Sequence, residues 1–499
     1  MLHQDLAQSN EGHEPVTAVY DLVVVGAGIG GLNALYAATQ YLPKGARVLL
    51  IDQKQTAGGM WNLAYNYVRL HQPHAMFTVG DIRWNWKRSP TYLAKRDEVR
   101  DHLARTLDAV AEAVDLKTRF GHTALTCEEV HSDHGYRARV TFHPNDSTGQ
   151  TTIVEAARVI HAPGLNYREA EPLPLSSGNV VSITPQNLLA TLTAYPDAPV
   201  HVVGGGKTGM DTVLATLAQD PGRKVSLING RGTNFLNRTK YFPTGPKRWI
   251  SGGLVSGLMR ELALAFDGDN EDDMMSHLRR HYATAPDSQN GVFLYGLLSE
   301  DEHARITGGL SRTYPDYLVD VTDTNAGPQM ALRRGSKEPV ACGSIFVNCT
   351  GSFYRAGNLA KQVPCLSPHD TVVSLNPRDD FHFLSGVSAF SVTHLLYRGA
   401  LRGKGFYTID NEMLFRQNRN AWVGASAAQA YMNQILSVQT LPMSVLVRCG
   451  LDLDRWYPLP RRLAGLIRMK ANARGDVAHC RRTLDRVAER FGIHCGPLD

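Results

Sequence analysis

Short runs of β-branched and other apolar residues recur along the chain, most of them closing on glycine: VVV ahead of Gly26, RVLLID (Arg47–Asp52), ARVIHAPGLN (Ala157–Asn166), VV ahead of Gly204, KVSLING (Lys224–Gly230) and GSIFVNCTGS (Gly343–Ser352). Apolar runs of this length bounded by glycine or proline predict buried strands. Helical patterns follow directly after Gly28 and Gly206, and HFLSGVSAFSVTHLLYRGAL (His382–Leu401) reads as strand, glycine turn and helix. GGLVSGLMRELALAF (Gly252–Phe266) places apolar residues at helical spacing, the pattern of a helix with one face packed inward. Strands alternating with helices predict an α/β fold with parallel sheets.

Two of the strand-to-helix turns carry the same glycine spacing. In VVVGAGIGG the glycines are Gly26, Gly28 and Gly31; in VVGGGKTGMD they are Gly204, Gly206 and Gly209. The first glycine makes the tight turn, the second clears room for a pyrophosphate, and the third lets helix and strand lie close. Backbone N–H groups and the positive end of the helix then face the phosphates. Two such turns in one chain predict two dinucleotides. The strand after the first turn ends in Asp52, with Gln53 beside it, placed to accept hydrogen bonds from an unphosphorylated ribose. The strand after the second reaches Asn229 where the acid would stand, then Arg231, a pairing that welcomes a ribose phosphate. The first site is therefore expected to hold FAD and the second NADPH, with Lys207 and Thr208 in the second cradle; Lys207 is read either as neutralising phosphate or as a solvated helix residue.

Composition agrees with a folded enzyme: 499 residues, 43% hydrophobic and 20% charged. The chain is expected to be two Rossmann-like domains, the NADPH domain inserted in the FAD domain. The expected boundaries are 17–168 and 341–440 for FAD, 169–340 for NADPH with a substrate-side insert at about 235–320, and a basic helical segment at 441–499. An inserted domain is left and re-entered through short strands ending in glycine, and Gly164 and Gly351 fit that demand. Gly386 opens a helix whose positive end is expected to face the flavin ring. The seven cysteines form no CxxC pair and no metal-ligand spacing, so neither a disulfide relay nor a metal is expected. Net charge is +5. Interleaved aromatics are sparse in the basic C-terminal segment, so it reads as a solvated helix face rather than a nucleic-acid surface. The polar first 20 residues lack the pattern of a secretion signal, and no segment is apolar enough to span a bilayer, so a cytoplasmic enzyme is expected. The reading leaves room for a homodimer.

The chain resembles the flavin-containing monooxygenase group of two-dinucleotide flavoproteins. The resemblance is carried by the first turn with Asp52, by Gly58-Gly59-Met60-Trp61 (a GG-x-W match), and by Tyr67-Val68-Arg69-Leu70 followed by His71-Gln72-Pro73-His74. It continues in Ser89-Pro90-Thr91-Tyr92-Leu93, the second turn with Arg231, and Asn348-Cys349-Thr350-Gly351. It implies that Gly59, Met60 and Trp61 contact FAD, that Gly351 and Gly386 belong to the FAD site, and that the loop after Tyr67 points a polar residue at the reactive edge of the flavin. His71 and Gln72 stand there where the group usually has Asn, and both are candidate catalytic residues. A histidine titrating near neutrality would control the proton of a flavin hydroperoxide. The implied function is an NADPH-dependent monooxygenase of specialised biosynthesis. Its reduced FAD would capture O2 and oxygenate a small organic substrate at nitrogen, sulfur or carbon, or insert oxygen beside a ketone. The FxGxxxH signature expected between the two turns is missing. That departure keeps open a dehydrogenase or reductase that passes electrons between NADPH and an organic substrate without oxygenating it, and, in another class, a sensor or scaffold with a structural flavin.

Overall fold

The computed structural model describes residues 17–133, 135–146, 151–165, 169–285, 291–351, 354 and 363–498. Most of the polar N-terminal arm, residues 1–16, lies outside the described residues, as do Asn166 and Ser352 at the ends of two expected strands.

The first sheet grows from β1 (Ala18–Val25), which runs through the first glycine turn into α1 (Ile29–Thr39). β2 (Arg47–Asp52) returns parallel to β1, pairing Val23 with Leu49. After α2 (Arg96–Ala111), β3 (Asp115–Phe120) adds in parallel beyond β2. The antiparallel pair β4 (His122–Ser132) and β5 (Gly135–Pro144) leads to β6 (Thr152–His161), which lies parallel to β1 on its other side. The strand Val372–Ser374 completes this sheet against the end of β6. Leu22, Val23 and Val24 are fully buried, as a parallel strand covered on both faces requires.

The second sheet is built from residues lying between β6 and Val372–Ser374. Its strands are β7 (Val181–Ile183), then, after α3 (Leu188–Ala194), β8 (Val200–Val203), β9 (Val225–Ile228), Leu310–Tyr314 and Ile345–Asn348. Their order is Leu310–Tyr314, β9, β8, Ile345–Asn348, β7, all parallel. β8 passes through the second glycine turn into α4 (Lys207–Gln219). One dinucleotide-type sheet is thus nested within the chain of another, the α/β arrangement that the glycine-bounded strands implied. The second sheet draws a strand from beyond residue 340, so the chain crosses back only after Asn348.

The stretch expected as a substrate-side insert is not an appendage. The helix Val255–Ala265 buries Leu258, Leu262 and Ala263, and packs with the helices Glu271–His281, Arg419–Thr440 and Leu459–Phe491 into the same hydrophobic core as the first domain. The helix Arg419–Thr440 is buried along most of its length, which its alanine-rich sequence permits by letting neighbouring helices approach closely. Among the described residues, no helix is long and apolar enough to cross a membrane.

Candidate functional site

Both glycine turns are shaped by the backbone of a neighbouring strand. A Cβ on Gly26 would stand 2.2 Å from the Ala162 carbonyl oxygen, and one on Gly204 would stand 2.7 Å from that of Cys349. Ala162 follows β6 and Cys349 follows Ile345–Asn348, so the glycine-ended strands that carry the chain out of each sheet press on the turns themselves. Gly26 and Gly204 also hold φ of +104° and +120°, which a side chain would resist. The third glycines serve close packing: a Cβ on Gly31 or Gly209 would fall within 2.0 Å of the carbonyl oxygen of its own turn.

At the first turn, the two oxygens of Asp52 accept the backbone N–H of Ala27 at 2.5 Å and of Lys54 at 2.6 Å. Burial raises the carboxyl's pKa, against these two bonds, which lower it. Asp52 therefore braces the turn as well as standing where a ribose would lie, a second task the sequence did not disclose. Gln53 beside it is exposed. Gly59, with φ of +56°, brings the chain against Gly28, where an added Cβ would come within 2.8 Å of the Gly28 Cα. Met60 is exposed, and Trp61 sits edge-on to Phe77 at 5.7 Å, partly packed in the core. The helix Ser385–Tyr397 begins beside Gly30, and Gly386 lies against Ile29 and Leu451, where a larger residue would force the helix away from α1. No atom of the described residues lies within 4 Å of where a Cβ on Gly351 would stand.

At the second turn Gly206 faces open space, and Arg231 is exposed at the end of β9 with no ion pair among the described residues. Lys207 is not a solvated helix residue: its ammonium pairs with Asp211 one turn along α4, and Asp211 also accepts the Tyr65 hydroxyl at 2.8 Å. Thr208 is partly buried beside them. Tyr67 bonds Thr212 at 2.9 Å, and Thr212 contacts the Cys349 sulfur at 3.3 Å. The loop after the GG-x-W turn of the first domain is thereby fastened to the helix of the second. Of Tyr65, Tyr67, Asp211 and Thr212, the sequence offers only the four-residue spacing of Lys207 and Asp211 as a signal.

His71 and Gln72 follow on the same loop. The Nδ1 of His71 accepts the Leu297 N–H at 3.2 Å, which leaves the ring proton on Nε2. Arg238 donates to the His71 carbonyl at 3.3 Å and pairs with Glu302 at 2.8 Å. Burial first, then the charges of Lys207 and Arg238, push the His71 pKa down to about 3. Titration near neutrality is thus excluded by this environment: His71 is a neutral donor with a fixed tautomer. The Gln72 side-chain oxygen is buried with no partner among the described residues, an arrangement that calls for a donor from outside the chain. His74 is turned away, its Nδ1 on the Tyr92 carbonyl and its ring edge-on to Trp84.

The donor set fits the two groups the sequence called for. The close approach of Gly28 to Gly59, the carboxylate of Asp52 and the unpartnered oxygen of Gln72 suit a flavin dinucleotide on the first turn. The open turn at Gly206 and the exposed Arg231 suit a phosphorylated nicotinamide dinucleotide on the second. Among the described residues no group of three His, Cys, Asp or Glu side chains is placed to hold a metal, and the described cysteines are unpaired thiols.

Comparison with known proteins agrees over this region. Residues 20–240 match the model of the pyridine nucleotide-disulphide oxidoreductase family. An uncharacterised protein of Mycobacterium tuberculosis is 29% identical over 214 residues, 40% of this chain and 36% of that protein. The FAD-containing monooxygenase EthA of the same species is 22% identical over 227 residues, 45% of this chain and 44% of its own length. The chain thus spans less than half the length of the curated relatives it matches. Among solved structures, the ornithine hydroxylase PvdA from Pseudomonas aeruginosa superposes with a TM-score of 0.48 at 15% identity, covering 76% of this chain and 99% of that one. Over residues 20–240 the chain is thus similar to the pyridine nucleotide-disulphide oxidoreductases, and over a stretch of 227 residues to an FAD-containing monooxygenase.

Proposed function

We propose that this chain is an NADPH-dependent flavoprotein monooxygenase acting on a small organic substrate. FAD would be held by Gly26, Gly28, Gly31, Asp52 and Gly59, and NADPH by Gly204, Gly206, Gly209 and Arg231. The observation that carries the reading is the fastening of the first domain's loop to the second domain's fingerprint helix through Tyr65 on Asp211 and Tyr67 on Thr212, which brings the two dinucleotide cradles to one seam. FAD held there would supply the redox chemistry between the nicotinamide and dioxygen. The chain's own part is positioning and proton control. His71 presents a neutral Nε2–H that does not ionise across the working pH range, and Gln72 presents an acceptor oxygen held in a dry place. Lys207 pairs with Asp211 along α4, at the start of the helix that the NADPH phosphates would face. The oxygenated position, at nitrogen, sulfur, carbon or beside a ketone, follows from the substrate that fits.

The test is a purified full-length chain reconstituted with FAD and mixed with NADPH under isotopically labelled dioxygen and a panel of amines, thioethers and ketones. The expected outcome is bleaching of the yellow absorbance by NADPH in preference to NADH, followed by label in the organic product. NADPH oxidation with an organic acceptor but no label incorporated would establish the reductase instead. A chain that stays colourless would sink both.

A further inference from the structure

The helix Leu459–Phe491 buries one side, through Met469, Ala473, Cys480, Leu484 and Val487, and leaves another side open. At the start of its open side stand Leu459 (61% exposed), Leu463 (46%) and Ile467 (68%), spaced four residues apart so that they form one apolar stripe. A second apolar projection lies beside it. The short helix Lys247–Ile250 exposes Trp249 (59%) and Ile250 (85%), and the Arg461 guanidinium ties that segment to the long helix by donating to the carbonyls of Arg248, Ser251 and Gly252. Large apolar residues concentrated on adjoining elements in this way are not ordinary surface scatter.

The segments that carry these residues are cationic, with Asp452, Asp454 and Glu261 just outside them. Residues 459–475 contain Arg461, Arg462, Arg468, Lys470 and Arg474 and no acid; residues 238–260 contain Arg238, Lys240, Lys247, Arg248 and Arg260 and no acid. Some of these cations are engaged within the chain: Arg238 with Glu302, Arg260 with Asp476, and Arg462 with Asp452. No ion pair of Lys247, Arg468, Lys470 or Arg474 occurs among the described residues. Two copies of this surface facing one another would repel, which disfavours self-association through it. A bilayer surface of anionic lipid is complementary to it. Its headgroups pair with the cations, while Trp249, Ile250, Leu463 and Ile467 enter the headgroup–acyl boundary and the long cationic side chains lie along it.

We propose that this face, formed by the start of the helix Leu459–Phe491 and the segment Lys247–Ile250, docks the protein peripherally on an anionic lipid bilayer. A cavity of about 360 Å³ opens beside it, lined by Leu254, Tyr282, Ala464 and Arg468, and also by Tyr241, whose buried hydroxyl has no partner among the described residues. Docking would set the mouth of this cavity, which Glu261 and Arg260 also line, at the lipid boundary.

The test uses the full-length chain and sedimentation with vesicles of phosphatidylcholine alone, or of phosphatidylcholine with phosphatidylglycerol. The chain is expected to pellet with the anionic vesicles at low ionic strength, to remain in solution with the neutral ones, and to be released by salt. Replacing Arg468 and Lys470 by Ser should weaken partitioning about fivefold for each cation removed. Leu463→Ser with Ile467→Ser should weaken it without lowering the melting temperature, because both side chains are exposed. The proposal fails if the chain ignores anionic vesicles, if it binds neutral and anionic vesicles equally, or if these substitutions leave binding unchanged. It fails as well if ultracentrifugation finds a dimer that the Leu463 and Ile467 substitutions dissociate, since a second copy would then cover the face. None of these readouts depends on turnover, so the result stands apart from the proposed activity.

Discussion

At single positions, the fingerprints are constrained by backbone contacts that a Cβ cannot share. Gly59→Ala would press a methyl toward the Gly28 Cα at 2.8 Å and hold it at φ of +56°, a conformation that costs a non-glycine residue roughly 1 kcal/mol or more. The expected result is a chain that still folds but binds FAD weakly, read as flavin lost on gel filtration relative to the parent. Arg231 makes the complementary prediction. It is exposed and has no ion pair among the described residues, so Arg231→Ala should leave stability alone and raise KM for NADPH by tenfold or more, in line with a charge-assisted bond of roughly 1.5–3 kcal/mol. NADH kinetics should not move; an equal loss for both nucleotides would show that Arg231 does not read the ribose phosphate. The two glycine spacings, Asp52 and Arg231 were legible in the sequence because each is a local motif whose geometry is set within a few residues of its turn. The His71 environment was not. Its tautomer is fixed by Leu297, and its charge is suppressed by burial and then by Lys207 and Arg238, all far away along the chain.

Between elements, the fold is held by polar clamps that no periodicity reveals. Asp476 on the C-terminal helix receives two bonds from Arg260 on the helix Val255–Ala265, at 2.8 and 3.1 Å, and one from the Tyr431 hydroxyl on the helix Arg419–Thr440 at 2.8 Å. Three helices from separate parts of the sequence thus meet on one buried carboxylate. Arg260→Met removes the counter-charge and leaves that carboxylate enclosed, at an expected cost of about 3 kcal/mol in urea unfolding. Arg260→Met with Asp476→Leu should recover much of the loss, and a double variant no better than the single one would argue that the clamp is not the cause. The apolar stripe of Gly252–Phe266 was readable as a helix with a buried face. What it packs against was not, because two of its partner helices come from residues beyond 400 whose own sequence carries no motif. The same limit explains why residues 235–320 read as an insert, although the structure folds part of them into the main core and takes the edge strand Leu310–Tyr314 from them.

For the whole molecule, the buried histidines contribute to the response to acid. Burial pushes His102, His161, His201, His382 and His394 down to about 4, and His71 to about 3, whereas an unfolded chain titrates its histidines near 6.5. The stability these groups contribute is complete above about pH 6.5. It is lost as pH falls through the window from 6.5 to about 4, because the unfolded chain then binds protons that the folded one refuses. Burial acts in the opposite sense on Asp380 and Asp452, raised to about 7 and about 6, which keep protons in the folded state within that window. His494, held up by its bond to Asp379, and the carboxyls of Asp52, Asp410 and Asp454, raised by burial, are shifted in the same sense as these two, so the histidine contribution is read at a single site. His201 isolates one contribution: it is buried in β8, stacked on Phe346 at 4.6 Å, with its Nδ1 unpartnered among the described residues. A difference between about 6.5 and about 4 is worth roughly 3 kcal/mol at pH 4. His201→Leu should therefore give a shallower decline of unfolding free energy between pH 6.5 and 4 than the parent chain, measured by urea titration at several pH values. The two curves should run parallel above pH 7, where His201 is neutral in both the folded and the unfolded chain. Equal slopes below pH 6.5 would mean that water reaches His201 in the native state and that its proton is no cost to the fold.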